Sequence, residues 1–212
     1  MKAKELREYL NNSFKEKLIP FGFKKRGSNF YFLEKGKSYS INFNSLNYDN
    51  SFPTSFSCFS GFIEVEKKYA ELLNKNEKEI AKIKSSGQLY INQALLYDQQ
   101  KYSCKSYDLY TLQEAEKAVI EIVEYFIERI IPNFKKIETI NDLDVWYNTK
   151  EYMINSRRLK VDIIYGLLVA KFVSNPNYES LKSKYLKLSS HFGEWDKNEL
   201  NKAIVYIDSN IK

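Results

Sequence analysis

Asn29-Phe30-Tyr31-Phe32-Leu33-Glu34-Lys35-Gly36-Lys37-Ser38-Tyr39-Ser40-Ile41-Asn42-Phe43-Asn44-Ser45-Leu46 reads as two strands joined by a tight turn. Asn29 to Glu34 carries four consecutive apolar or aromatic residues, too many to leave one face fully wet. Glu34-Lys35-Gly36-Lys37 supplies the turn, because Gly36 takes positive φ without a Cβ clash. From Ser38 to Leu46 the pattern alternates cleanly. Tyr39, Ile41 and Phe43 point one way, and Ser40, Asn42 and Asn44 the other, as in a half-buried strand. A polar loop, Asn47 to Pro53, then leads to a third strand carrying Phe56, Cys58 and Phe62. Sequential strands with short connections predict an antiparallel sheet.

Helices flank this core. Leu6, Leu10, Phe14 and Leu18 recur every four residues and predict a helix from about Lys4 to Leu18, stopped by Pro20 and Gly22. A polar helix is expected over Glu66–Ser85, followed by strands at Leu89–Tyr97 and Tyr102–Tyr110. Thr111-Leu112-Gln113-Glu114 is a capping box, in which the Thr side chain bonds the Glu amide and the Glu side chain returns the bond. It opens a helix with Ala115, Ala118, Val119, Ile122, Val123, Phe126, Ile127 and Ile130 on one face, which Pro132 is expected to close.

Beyond that point the pattern is helical only. Thr139 caps a short helix carrying Leu143 and Trp146. Val161 to Phe172 forms another, Leu181, Tyr185 and Leu188 line the next, and Asp196 is placed to cap the last, with Leu200, Ala203, Ile204 and Ile207. The expected fold is α+β: an antiparallel sheet of four to six strands packed by an N-terminal helix and a long central helix, followed by a C-terminal helical subdomain. The boundary is expected between Lys150 and Ser156, dividing residues 1–150 from 151–212.

Composition narrows the function classes. The chain has 212 residues, 43% hydrophobic and 28% charged, so it can bury a substantial core and is not wholly disordered. No apolar run approaches the ~18 residues of a membrane span, and Met1-Lys2-Ala3-Lys4-Glu5 has no apolar leader core. A cytoplasmic location and no membrane partner are therefore expected. The net charge is +6, yet Arg7, Arg26, Arg129, Arg157 and Arg158 are the only arginines. Lysine is a solvated point charge without the bidentate fork that reads phosphates and bases, so a nucleic-acid partner is not favoured. Cys58 and Cys104 are read as small buried hydrophobes.

Pro20-Phe21-Gly22-Phe23-Lys24-Lys25-Arg26-Gly27, then Asn29-Phe30-Tyr31, Ile41-Asn42-Phe43 and the helix ending Ile130-Ile131-Pro132 resemble a bacterial family of unknown function, DUF-4304. The resemblance spans roughly Leu6 to Trp146. It departs at Asn44, where the family often has Gln, and at Tyr107-Asp108-Leu109-Tyr110, where a tryptophan pair is frequent. It implies a compact bacterial α+β protein and supplies no activity. The shared glycines and aromatics have structural explanations in backbone geometry and packing.

Two function classes remain. Asp49, Glu66 and Lys68 follow the order of the PD-(D/E)xK nucleases, where an Asp and a strand-borne Glu-x-Lys hold Mg²⁺ and orient a water. The apolar lead-in Phe62-Ile63 fits, but Asn47 to Ser51 is turn chemistry and Glu64 and Glu66 suit the first turn of a helix. Lys24 to Phe32 resembles an RNA-recognition signature only in Arg26-Gly27 and Phe30. Lys24 to Gly27 therefore reads as an exposed turn, with Phe30 and Phe32 facing the core. His191, the single histidine, reads as a helix-end residue. Neither a zinc site nor another cofactor is expected. The leading expectation is a non-catalytic module that binds another protein through exposed aromatics, with Tyr107, Tyr110 and Trp195 as candidate anchors. A toxin-neutralising immunity protein of a bacterial conflict system is one form of such a module.

Overall fold

The computed structural model describes residues 2–47, 51–85, 87–92, 107–149 and 159–211. Helix α1 (Ala3–Leu18) is followed by a 3₁₀ turn, Ile19–Phe21, and four strands: β1 (Lys24–Arg26), β2 (Asn29–Glu34), β3 (Lys37–Ser45) and β4 (Phe52–Phe62). Helices α2 (Ile63–Leu72) and α3 (Glu77–Ala81) come next, then β5 (Leu89–Asn92) and β6 (Tyr107–Leu109). The remainder is helical: α4 (Leu112–Tyr125), a π segment (Phe126–Ile130), α5 (Ile131–Lys135), α6 (Ile140–Asn148), α7 (Leu159–Phe172), α8 (Tyr178–Leu188) and α9 (Glu194–Asn210). The α+β class is as expected.

Two compact units emerge, Met1–Ile63 with Lys84–Lys136, and Glu64–Ile83 with Ile137–Lys212. The division does not follow the expected boundary near residue 150. Helix α2 buries Val65 and Ala70 and sets the Tyr69 ring 4.4 Å from Tyr165 of α7, and α6 buries Leu143 and Tyr147, so the helical unit is assembled from two stretches of chain.

The first unit is built on an antiparallel sheet in the order β1-β2-β3-β4-β5, with β6 pairing the first residues of β4. Lys35 (φ 48°) and Gly36 (φ 78°) are both left-handed, the type I′ turn that matches strand twist and sets Glu34 opposite Lys37. Register then stacks Phe30, Ile41 and Cys58 on one face, with Phe43 opposite Phe56 beside them. Helix α1 covers that face. The Phe14 ring lies 5.6 Å from Phe30, 5.6 Å from Phe43 and 5.5 Å from Phe56. The second face of β3 is drier than alternation suggests. Ser38 and Ser40 are buried as well, on a strand paired on both sides by β2 and β4, and the Ser60 hydroxyl donates to the Ser38 carbonyl at 2.7 Å.

Lys24–Arg26, read as a turn, forms the edge strand β1, paired to β2 through the two-residue turn Gly27-Ser28. Its three side chains are all exposed, which discourages edge-to-edge pairing. At the far edge the Gln88 side chain accepts from the Phe62 amide (2.9 Å) and donates to its carbonyl (2.8 Å), adding one rung beyond β5. The buried Lys37 ammonium donates to the Phe134 carbonyl at the end of α5 and sits over the Tyr39 and Phe62 rings.

The Thr111 capping box forms as expected, with Glu114 accepting from the Thr111 amide at 2.9 Å. Pro132 does not close the helix. The chain widens into a π turn in which the Ile131 amide donates to the Phe126 carbonyl, five residues back. That turn accommodates a ring that would otherwise clash with the carbonyl four residues before it, and the helix runs on to Lys135. The helix expected over Glu66–Ser85 is likewise two helices. Asn74 adopts φ 57°, and Asn76 caps α3 by accepting from the Glu79 amide. Most of the two strands expected between Leu89 and Tyr110 lies outside the described residues.

In the helical unit α7 is buried on every side from Ile163 to Ala170. Gly166 is its point of closest approach: a Cβ there would stand 3.0 Å from both Asn148 Oδ1 and the Tyr185 hydroxyl. Asn148 Nδ2 donates to Asp144 (2.6 Å) and to the Gly166 carbonyl (3.1 Å), the Tyr185 hydroxyl donates to Asn148 Oδ1 (2.6 Å), and Asn175 donates to Asp144 (2.6 Å). The polar groups of α6, α7 and α8 are thereby satisfied inside an apolar bundle.

Replacing Phe14 by Ala is expected to cost about 3–5 kcal/mol of unfolding free energy, read as a lowered urea midpoint. Gly166→Val should lower stability by roughly 1–3 kcal/mol through overpacking in the same titration.

Candidate functional site

The Glu-x-Lys pair of the nuclease reading is not on the strand that the sequence suggested. Asp49 lies outside the described residues. Glu66 and Lys68 stand on helix α2 rather than on a strand. Two residues apart on a strand share a face, but on a helix they diverge by about 200°. The side chains accordingly have different partners. Glu66 accepts from the buried Tyr165 hydroxyl at 2.7 Å, and Lys68 pairs with Glu71 at 2.8 Å. Burial, then the charge of Glu66, hold the Tyr165 phenol well above its ordinary pKa, so it serves as a donor. Among the described residues no three His, Cys, Asp or Glu side chains gather closely enough to hold a metal ion.

Other sequence candidates separate as follows. Cys58 is buried, and burial pushes its thiol far up, away from the reactive thiolate; Cys104 lies outside the described residues. His191 is exposed at the end of a 3₁₀ turn after α8. Tyr107 on β6 is half-buried, its ring edge-on to Phe56 at 5.6 Å. That contact commits it to the sheet. Tyr110 is 53% exposed, just before the α4 cap.

Trp195 is the most exposed large apolar side chain among the described residues, at 68%. It projects from the first turn of α9, whose N-cap is Gly193 and not Asp196 as expected. Asp196 is occupied elsewhere. Lys160, at the start of α7, donates to Asp196 Oδ1 (2.6 Å) and to Glu199, and its ammonium lies 4.1 Å from the centre of the Trp195 ring. Burial opposes the lysine charge, but the hydrogen bonds to the two carboxylates and their charge outweigh it, so the Lys160 pKa is raised. The Lys160 ammonium is thus charged at neutral pH, and its contribution is lost as pH climbs past the raised lysine value. Cation–π contact on one side fixes the indole while most of the ring meets solvent. Trp195 was legible as an aromatic; Lys160 was not, because the lysine and the tryptophan are distant in sequence and meet only when α7 and α9 pack.

A third feature lies in the sheet unit. Lys17, Phe21, Ile120, Val123, Glu124, Ile127 and Glu128 line a groove of about 240 Å³ between the end of α1 and the outer side of α4. No family model, curated protein or solved structure matches the chain. None of the helices among the described residues is long and apolar enough to cross a membrane.

Glu66→Ala should leave the Tyr165 hydroxyl buried without this acceptor and lower stability by about 1–3 kcal/mol, measured by chemical denaturation. Acid should weaken the helical unit too. The Glu71 carboxyl is held below its ordinary value of 4.5 by the Lys68 hydrogen bond, against burial, with help from Tyr206. A depressed folded pKa gives stability that is complete above the unfolded value and lost as pH falls through the folded one. Glu71→Gln should therefore flatten the fall of the urea midpoint below pH ~4.5.

Proposed function

We propose that the chain is a protein-binding module in which Trp195, stacked on Lys160, anchors the partner. The observation that carries this reading is an indole 68% exposed yet held in one place by an ammonium that two carboxylates fix in turn. Tryptophan supplies a large contact area at little entropic cost when its rotamer is already set, and it dominates binding hot spots. Asp196, Glu199 and Lys160 would then form the polar rim that surrounds such an anchor. Tyr110 is a separate, smaller candidate on the sheet unit, and Tyr107 contributes through the strand it stabilises. An immunity protein that neutralises a toxin is one form that fits this description, and its action would be occlusion, with no bond made or broken.

The test is recovery of a partner on the tagged full-length chain from cells that express it natively. Trp195→Ala should weaken retention by at least about 2 kcal/mol, roughly thirtyfold in Kd, while far-ultraviolet circular dichroism stays unchanged. Lys160→Met, which keeps the stem but removes the charge, should weaken it less. A partner kept equally by wild type and Trp195→Ala, or none kept by either, would contradict the proposal.

A further inference from the structure

The groove beside α1 carries its own complement. The 3₁₀ turn Ile19–Phe21 projects apolar side chains outward, with Phe21 52% exposed at the groove's lip and Ile19 50% exposed next to it. Across from them α4 and the π segment present Ile120, Val123 and Ile127 at intervals of three and four, one stripe of a helix face. Val123 at its base belongs to the buried face of α4 with Ala115, Ala118, Val119 and Ile122, while Ile120 and Ile127 on either side of it are only half-buried. The two walls differ in charge. Lys17 stands on the α1 side, and Glu124 and Glu128, one turn apart, stand on the α4 side. At about 240 Å³ the space falls below the ~300–1,000 Å³ usual for a small-molecule ligand and suits single side chains of a partner.

We propose that this face pairs with the same face of a second copy of the chain. A two-fold axis sets each wall against the opposite wall of its mate. The cation of one copy then meets the two carboxylates of the other, and Phe21 of each enters the groove formed by Ile120, Val123 and Ile127 of its mate. One surface thus holds both knob and hole and both signs of charge, which is the requirement of an isologous interface. The pairing lies in the sheet unit and does not depend on the Trp195 reading.

The test is the mass of the purified full-length chain by sedimentation equilibrium across a concentration series, with charge swaps. The wild type should rise from 25.1 kDa towards twice that mass with concentration. Lys17→Glu, or Glu124→Lys with Glu128→Lys, should weaken association at least ~10-fold, because like charges then face each other. Combining all three substitutions should restore it to within ~3-fold of wild type. Phe21→Ser should abolish it. A loss of folding cannot mimic that restoration. A wild-type chain that stays monomeric at every concentration would overturn the proposal, as would dimers indifferent to Phe21 or charge swaps that fail to restore pairing.

Discussion

The contact on which the sheet unit depends is the Phe14 ring set among Phe30, Phe43 and Phe56. One helical side chain touches three strands, so it holds α1 in place and at the same time favours one strand register. A slip by one residue would turn Phe43 and Phe56 to the opposite face and leave Phe14 without partners. The type I′ turn at Lys35-Gly36 sets the same register from the other end of the hairpin. Local turn geometry and long-range packing therefore agree, which is what a single well-defined fold requires. Lys37 adds a polar tie, its ammonium capping the carbonyl end of α5 within the same unit.

The helical unit is organised differently, around polar groups. Tyr147, Tyr165 and Tyr185 are among its largest buried side chains, and the hydroxyls of Tyr165 and Tyr185 find Glu66 and Asn148. A tyrosine used this way needs its acceptor at a fixed place. That need explains why Glu66 stands where a nuclease reading placed a metal ligand. Its carboxylate already serves the bundle. Around the rim, Asp208 accepts from Tyr178 (2.7 Å) and Lys182 (3.1 Å), with Lys171 and Lys182 near the Tyr178 ring. Many lysines that give the chain its basic charge thus serve as local partners for acids and rings.

Elements whose signals are local were readable from the chain. The α1 stripe, the Asn29–Leu46 hairpin, the Thr111 capping box, the Thr139 cap and the Leu200–Ile207 face all follow from neighbours a few residues apart. What escaped depends on partners distant in sequence or on a local conformation with several solutions. Pro132 normally ends a helix, but a π turn let the helix pass. Glu66-x-Lys68 is compatible with strand or helix, and its distant hydrogen-bond partner, Tyr165, decides nothing until the bundle forms. Asp196 looked like a cap, yet Lys160 drew it aside and Gly193 took the cap position. The exposed aromatic could be guessed from composition; the ammonium that immobilises it could not.

The central claim is that Trp195 is a contact residue and not a stray exposed ring. Photo-crosslinking from that position tests it most directly: benzoyl-phenylalanine is placed at residue 195 in the full-length chain and irradiated in cells that express it natively, with residue 205 as a control, since Val205 is 66% exposed on the same helix. The account predicts one discrete adduct of defined mass from position 195 and none from position 205. An equal, diffuse smear from both positions would contradict it.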